Sequence, residues 1–187
     1  MYPVKIRGEL TVLREFTSGD LDGVLAIVGD DRVTRTLSFD SRTREQAAAM
    51  LEGILERARL DQRTEYYLAV TVPDDEGQVA GFARLGLDGV KAAKLGYALA
   101  ASTQGHGYAA DACRALIGFG FTELGLHRIS AAIGPGNEAS VRAVKRLGFT
   151  YEGRIRDHVF TNGAWRDSDL YSVLEHEWPA AAGTSAA

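Results

Sequence analysis

The chain has 187 residues, 45% of them hydrophobic and 25% charged, which fits one self-folding domain and excludes an intrinsically disordered protein. A net charge of -4 supplies no overall field for nucleic acid or an anionic membrane, and no stretch approaches the roughly 20 apolar residues that span a bilayer. The single cysteine, Cys113, excludes an internal disulfide, and the opening MYPVKIRGEL lacks the apolar centre of a signal peptide, so a cytoplasmic protein is expected.

Leu10 to Arg14 reads as a short strand. Thr17 with Asp20 has the spacing of a capping box and opens a helix to about Val28. Thr43 with Gln46 forms a second box, and Ala47, Met50, Leu51, Ile54, Leu55 and Ala58 then recur at helical spacing up to Arg59. Tyr66 to Val72 and Val79 to Leu85 are strand-like runs around a turn that contains Pro73 and Gly77, which predicts an antiparallel hairpin.

Lys94 to Ala100 is a further strand, and Tyr108 to Leu124 a helix after the break at Ser102 to Gly107. Arg128 to Ile133 reads as a strand, Asn137 to Leu147 as a short helix that stops at Gly148, and Thr150 to Phe160 with Trp165 to Leu174 as a hairpin turned by Asn162-Gly163. The order βααβββαβαββ predicts a mixed α/β (α+β) domain, with helices flanking a mostly antiparallel sheet of about seven strands. Residues 1–179 form that domain; residues 180–187, AAAGTSAA, are expected to be a disordered tail.

The stretch Leu95 to Phe119 is a strand that feeds a glycine-bearing turn into a long helix. A helix start leaves about four N–H groups unpaired and carries a partial positive charge, so it suits a phosphate. Gly105 and Gly107 can point successive N–H groups into one concavity, although an isolated G-x-G is more often a plain tight turn. The Gly-Lys-Ser/Thr ending of a P-loop is missing, and Ala110 stands where a dinucleotide fingerprint has its third glycine. The loop also comes late in the chain, whereas that fingerprint follows a first strand.

Gln104-x-x-Gly107-x-Ala109 resembles the pyrophosphate motif of the GNAT N-acetyltransferase superfamily. Asn137 to Phe149, NEASVRAVKRLGF, is similar to the N-x-x-S and GF segment of its Rim-type branch, which includes ribosomal-protein N-terminal and small-amine acetyltransferases. Glu152 to Trp178 resembles the closing hairpin of that branch. The resemblance implies a donor arm seated against the backbone of Tyr97, Ala98 and Leu99, with pyrophosphate on the N–H groups of Gly105, His106, Gly107, Tyr108 and Ala109 beside Gln104. Asn137 and Ser140 would approach the pantetheine and sulfur, although both are also ordinary helix-capping residues. Arg142, Lys145 and Arg146 could meet the adenosine phosphate or form a solvated face.

The implied reaction carries an acetyl group from acetyl-CoA directly to a primary amine, on a protein N-terminus or a small molecule, with no metal. Two familiar acid–base positions depart from the pattern. Lys94 occupies a place often held by Glu, and Val144 one often held by the general-acid Tyr. Ser140 could assist the thiolate, and Asp88, Glu65 and His127 are candidate bases. Proximity with proton loss to water is the alternative to a dedicated base. Cys113 lies four residues before Ile117 on a helix, which fits core packing better than acyl transfer.

A larger acyl group such as succinyl could pair with Arg35, Arg42 or Arg84, and a CoA-binding sensor without catalysis is the non-enzymatic alternative. A nucleotide-binding regulator is the remaining outsider. Acceptor-facing segments are expected at Arg32 to Arg42 and His158 to Asp167. By family analogy a homodimer is possible; no nucleic-acid or membrane partner is expected.

Overall fold

The computed structural model describes residues 1–179, and the tail at 180–187 lies outside the described residues. An eight-stranded sheet runs in the order β1-β2-β3-β4-β5-β6-β8-β7. Its strands are β1 (Lys5–Arg7), β2 (Val12–Glu15), β3 (Glu65–Thr71), β4 (Gly81–Leu87), β5 (Ala92–Leu99), β6 (Arg128–Ile133), β7 (Thr150–Thr161) and β8 (Ala164–Leu174). All neighbours are antiparallel except β5 and β6. The eighth strand is β1, three residues too short to carry a readable alternation, which pairs with β2 from Lys5↔Arg14 to Arg7↔Val12.

The helices are α1 (Leu21–Val28), α2 (Asp31–Thr34), α3 (Arg44–Ala58), α4 (Tyr108–Thr122) and α5 (Glu138–Arg146). Both capping boxes form. Thr17 N–H donates to Asp20 at 2.6 Å and Thr43 N–H to Gln46 at 2.9 Å, each satisfying a donor that a helix start would leave unpaired. The first box opens a 3-10 turn, Ser18–Asp20, that runs on into α1. The short α2 falls in a segment expected to be loop, where Asp30 caps Arg32 N–H at 2.9 Å.

Two apolar clusters lie on opposite faces of the sheet. Leu13, Leu68 and Leu85 pack with Leu116 and Ile117 of α4, while Ala69 and Phe82 pack with Ile27 of α1 and Leu51 of α3. The Asn162-Gly163 turn has both residues at positive φ, 52° and 72°, which is the twist a two-residue hairpin loop requires.

The feature that positions the site is a split in the sheet. β5 and β6 pair only at Ala92↔Arg128, Ala93↔Ile129 and Lys94↔Ser130. Beyond that point β5 stays with β4 as far as Gly81↔Leu99, and β6 stays with β8 as far as Ile133↔Asp169. Two half-sheets therefore diverge, leaving a wedge whose facing strand edges do not pair with each other.

Candidate active site

A cavity of about 480 Å³ occupies the wedge. Leu95, Gly96 and Tyr97 form one wall and Ala131 to Gly134 the other, with Asn137 and Ser140 of the α5 segment above. The acceptor-facing expectation has a structural counterpart: Thr36, Leu37 and Ser38 approach from the loop after α2, and His158, Val159 and Arg166 from the β7–β8 hairpin. The two segments are tied together. Asn162 N–H donates to Asp40 at 2.7 Å, and Arg166 Nη1 donates to the Arg35 carbonyl at 3.0 Å.

At one end of the wedge, β5 leads through a 3-10 turn, Ala101–Thr103, into the glycine loop and α4. Gly105 and Gly107 take φ values of 86° and 83°, in the left-handed region where glycine alone is free of strain. Among the described residues, no hydrogen bond takes up the N–H of Gly105, His106, Gly107, Tyr108 or Ala109. Gln104 turns its amide back to the Leu99 carbonyl at 3.3 Å, bracing the loop against the end of β5. His106 and Tyr108 stack at 5.4 Å between centroids. Such a cradle of N–H groups at the positive end of a 15-residue helix fits a pyrophosphate.

The sequence did not reveal what keeps this helix start in place. Asp111, in the first turn of α4, accepts from Glu9 N–H at 2.9 Å, Leu10 N–H at 3.0 Å and the Thr11 hydroxyl at 2.6 Å. A Cβ on Gly8 would lie 2.2 Å from the Asp111 carboxylate, so the turn can close on α4 only because residue 8 has no side chain. The signal spans about a hundred positions of sequence, and no local pattern reports it.

The sequence-predicted catalytic candidates separate. Ser140 and Asp88 line the cavity; Glu65 and His127 do not. Asp88 pairs with Lys94 at 2.9 Å, both side chains well exposed. Glu65 stands on β3 with its oxygens taken by Arg57 at 2.5 Å and Arg84 at 2.6 Å. Burial pushes its pKa up, but the two guanidinium groups outweigh that and hold the carboxyl below its ordinary value, so it is a fixed anion. His127 is exposed beyond the closed end of the wedge, 4.0 Å from Glu175.

Asn137 accepts from Ser140 N–H at 3.1 Å, so it caps α5 and lines the cavity at once. Val144 is fully buried, and Cys113 is buried with its thiol pushed up by desolvation, which leaves it protonated and inert. Arg84 reaches the cavity only while bonded to Glu65. Arg42 sits over the Phe39 ring at 5.0 Å, with its Nε buried and unpaired, and Arg35 contributes its carbonyl to the hairpin contact.

Two further features had no sequence signal. His158 Nδ1 lies 2.9 Å from the buried Ser168 hydroxyl on the acceptor wall. At the closed end of the wedge, Arg128 and Ser172 both bond Glu152, the serine at 2.7 Å; these hydrogen bonds, that from Arg128 foremost, lower the Glu152 pKa to about 2.

Residues 11–150 match the family model described as an acetyltransferase (GNAT) domain. The chain belongs to the GNAT acetyltransferase family. It is 27% identical over 178 residues to the uncharacterized N-acetyltransferase YoaA of Bacillus subtilis, covering 94% of this chain and 98% of that one. It is 31% identical over 119 residues to the [ribosomal protein uS5]-alanine N-acetyltransferase of Escherichia coli, covering 63% of this chain and 61% of the relative. Among solved structures, RimJ of Mycobacterium smegmatis in complex with CoA-disulfide superposes with a TM-score of 0.83 at 22% identity, over 96% of this chain and 91% of that one. As a GNAT member the chain is an N-acyltransferase that uses an acyl-CoA donor and an amine acceptor.

Proposed function

We propose that the chain transfers an acetyl group from acetyl-CoA directly to a primary amine, and that the amine is the terminus of a peptide. The observation that carries the donor half is the wedge between β5 and β6 ending at a helix start with unengaged N–H groups. The pantetheine arm lies along Tyr97, Ala98 and Leu99, the pyrophosphate on Gly105 to Ala109, and the sulfur near Asn137 and Ser140. An acetyl donor suits a cavity whose one β4 arginine, Arg84, is already bonded to Glu65.

The acceptor half follows from how the candidate base is engaged. Asp88 is the one carboxylate among the sequence-predicted bases on the cavity wall, and Lys94 holds it in an ion pair. A chain-terminal amine with a pKa of about 8 is already about one quarter neutral at pH 7.5, whereas a lysine amine at about 10.4 is neutral in roughly one molecule per thousand. A site with so modest a base favours the former, with Asp88 or water taking the proton. The Escherichia coli relative, named for an alanine of ribosomal protein uS5, supports the same class of acceptor.

The test is thiol release from acetyl-, propionyl- and succinyl-CoA against peptides with free or blocked N-termini, polyamines and amino sugars. Turnover with acetyl-CoA and a free-terminus peptide, recorded as the mass of one added acetyl group, is expected. Turnover only with small amines overturns the acceptor assignment, and a preference for succinyl-CoA overturns the acyl group. CoA binding without turnover on any amine leaves the sensor reading in its place.

A further inference from the structure

Tyr97 has a side chain that the backbone role above does not use. It packs against the α4-side core, lines the cavity, and places its hydroxyl where no group among the described residues bonds it. Buried hydroxyls without partners are rare in folded proteins and mark ligand or catalytic use. Cys113 of α4 belongs to the core that Tyr97 packs against, and Ser140 of α5 lines the same cavity as Tyr97. The Ser140 hydroxyl is close enough to favour the ionised phenol, yet no hydrogen bond of regular geometry joins them. Val144, fully buried on the same helix, can donate nothing.

We propose that Tyr97 is a positioning residue for departure of the thiolate: once the donor is bound, its O–H donates to Ser140 Oγ, which turns the Ser140 O–H toward the donor sulfur. The proposal rests on the donor reading above. In the transfer, the lone pair of the neutral amine forms the C–N bond at the thioester carbonyl carbon. Collapse of the adduct breaks the C–S bond and leaves its electron pair on sulfur. The nitrogen proton passes to Asp88 or water, and the thiolate accepts a hydrogen bond from Ser140 until solvent protonates it.

Tyr97 keeps its own proton throughout. Burial raises the phenol to about 12, well above a thiol at about 8.5, so it orients and polarises rather than serving as the proton source. Cys113, held protonated by its own burial, adds no charge to the pair. The arrangement gives Ser140 a fixed direction without a titrating partner at neutral pH.

The experiment is a pH titration of CoA bound to the protein, following the ultraviolet absorbance of the thiolate, in wild type, Tyr97→Phe, Ser140→Ala and the double variant. Calorimetry first establishes CoA binding; its absence in wild type would sink the donor reading and this inference with it. Wild type is expected to lower the bound thiol pKa by about one unit, a tenfold change in thiolate population. Tyr97→Phe should lose most of that shift and lower kcat about tenfold, with KM for acetyl-CoA unchanged. The double variant should match Ser140→Ala, because the two act as one relay. CoA binding with the same thiol pKa and kcat in wild type and Tyr97→Phe, or strictly additive losses in the double variant, would overturn the proposal while leaving the donor reading intact.

Discussion

The two sides of the cavity are built from different parts of the chain. On the proposed donor side the groups on offer are backbone: strand edges freed where β5 and β6 part, and N–H groups at the start of α4. On the proposed acceptor side the lining residues Thr36, Ser38, His158 and Arg166 are carried by a loop and a hairpin, and side chains would do the recognising. A backbone site constrains conformation and tolerates many sequences; a side-chain site constrains identity. That is why one common donor can be held across a family while acceptors change.

Breaking the backbone geometry should therefore have the largest effect. Gly107→Val forces a branched side chain into φ near 83° at the helix start, at a cost of about 1–2 kcal/mol before any clash with the ligand. CoA affinity measured by calorimetry is expected to fall at least about 100-fold, roughly 2.7 kcal/mol, with circular dichroism unchanged. Asp111→Ala tests whether the N-terminal turn holds α4 in place, since it removes the acceptor of three hydrogen bonds. A loss of about 2–3 kcal/mol in urea unfolding is expected, one half-buried network being removed.

A side-chain change at the candidate base should be smaller and should move the chemistry and not CoA binding. Asp88→Asn is expected to lower kcat with a peptide acceptor about tenfold, about 1.4 kcal/mol, while CoA affinity stays constant. An unchanged kcat would assign proton removal to water. The smallest effect belongs to Glu152, which stands outside the chemistry. Its folded pKa of about 2 lies below its ordinary value, so its contribution is present above about pH 4.5 and is lost as pH falls through about 2. Glu152→Gln should remove that acid dependence from thermal unfolding curves, changing stability at neutral pH by no more than about 1 kcal/mol because the pair is partly exposed.

The same division governs what the sequence revealed. The elements of the proposed donor side were legible because they are local: two glycines before a helix, a strand before them, and a helix cap at Asn137. The extra strand β1 was hidden by its length, and the clasp of Asp111 on the Gly8 turn by its separation in the chain. Glu65 looked like a free carboxylate at a strand end; only the fold brings Arg57 and Arg84 to it from α3 and β4. The Tyr97 hydroxyl was equally unreadable, since alternation puts the side chain on one face of β5 and does not say what it meets there.

Hydrogen exchange with and without CoA tests the donor-side account most directly. Ligand should slow exchange at the amides of Gly105 to Ala109, none of which has a partner among the described residues, and along the wedge edge from Tyr97 to Leu99. Protection confined to other segments, or none at CoA concentrations that saturate the protein, would contradict it.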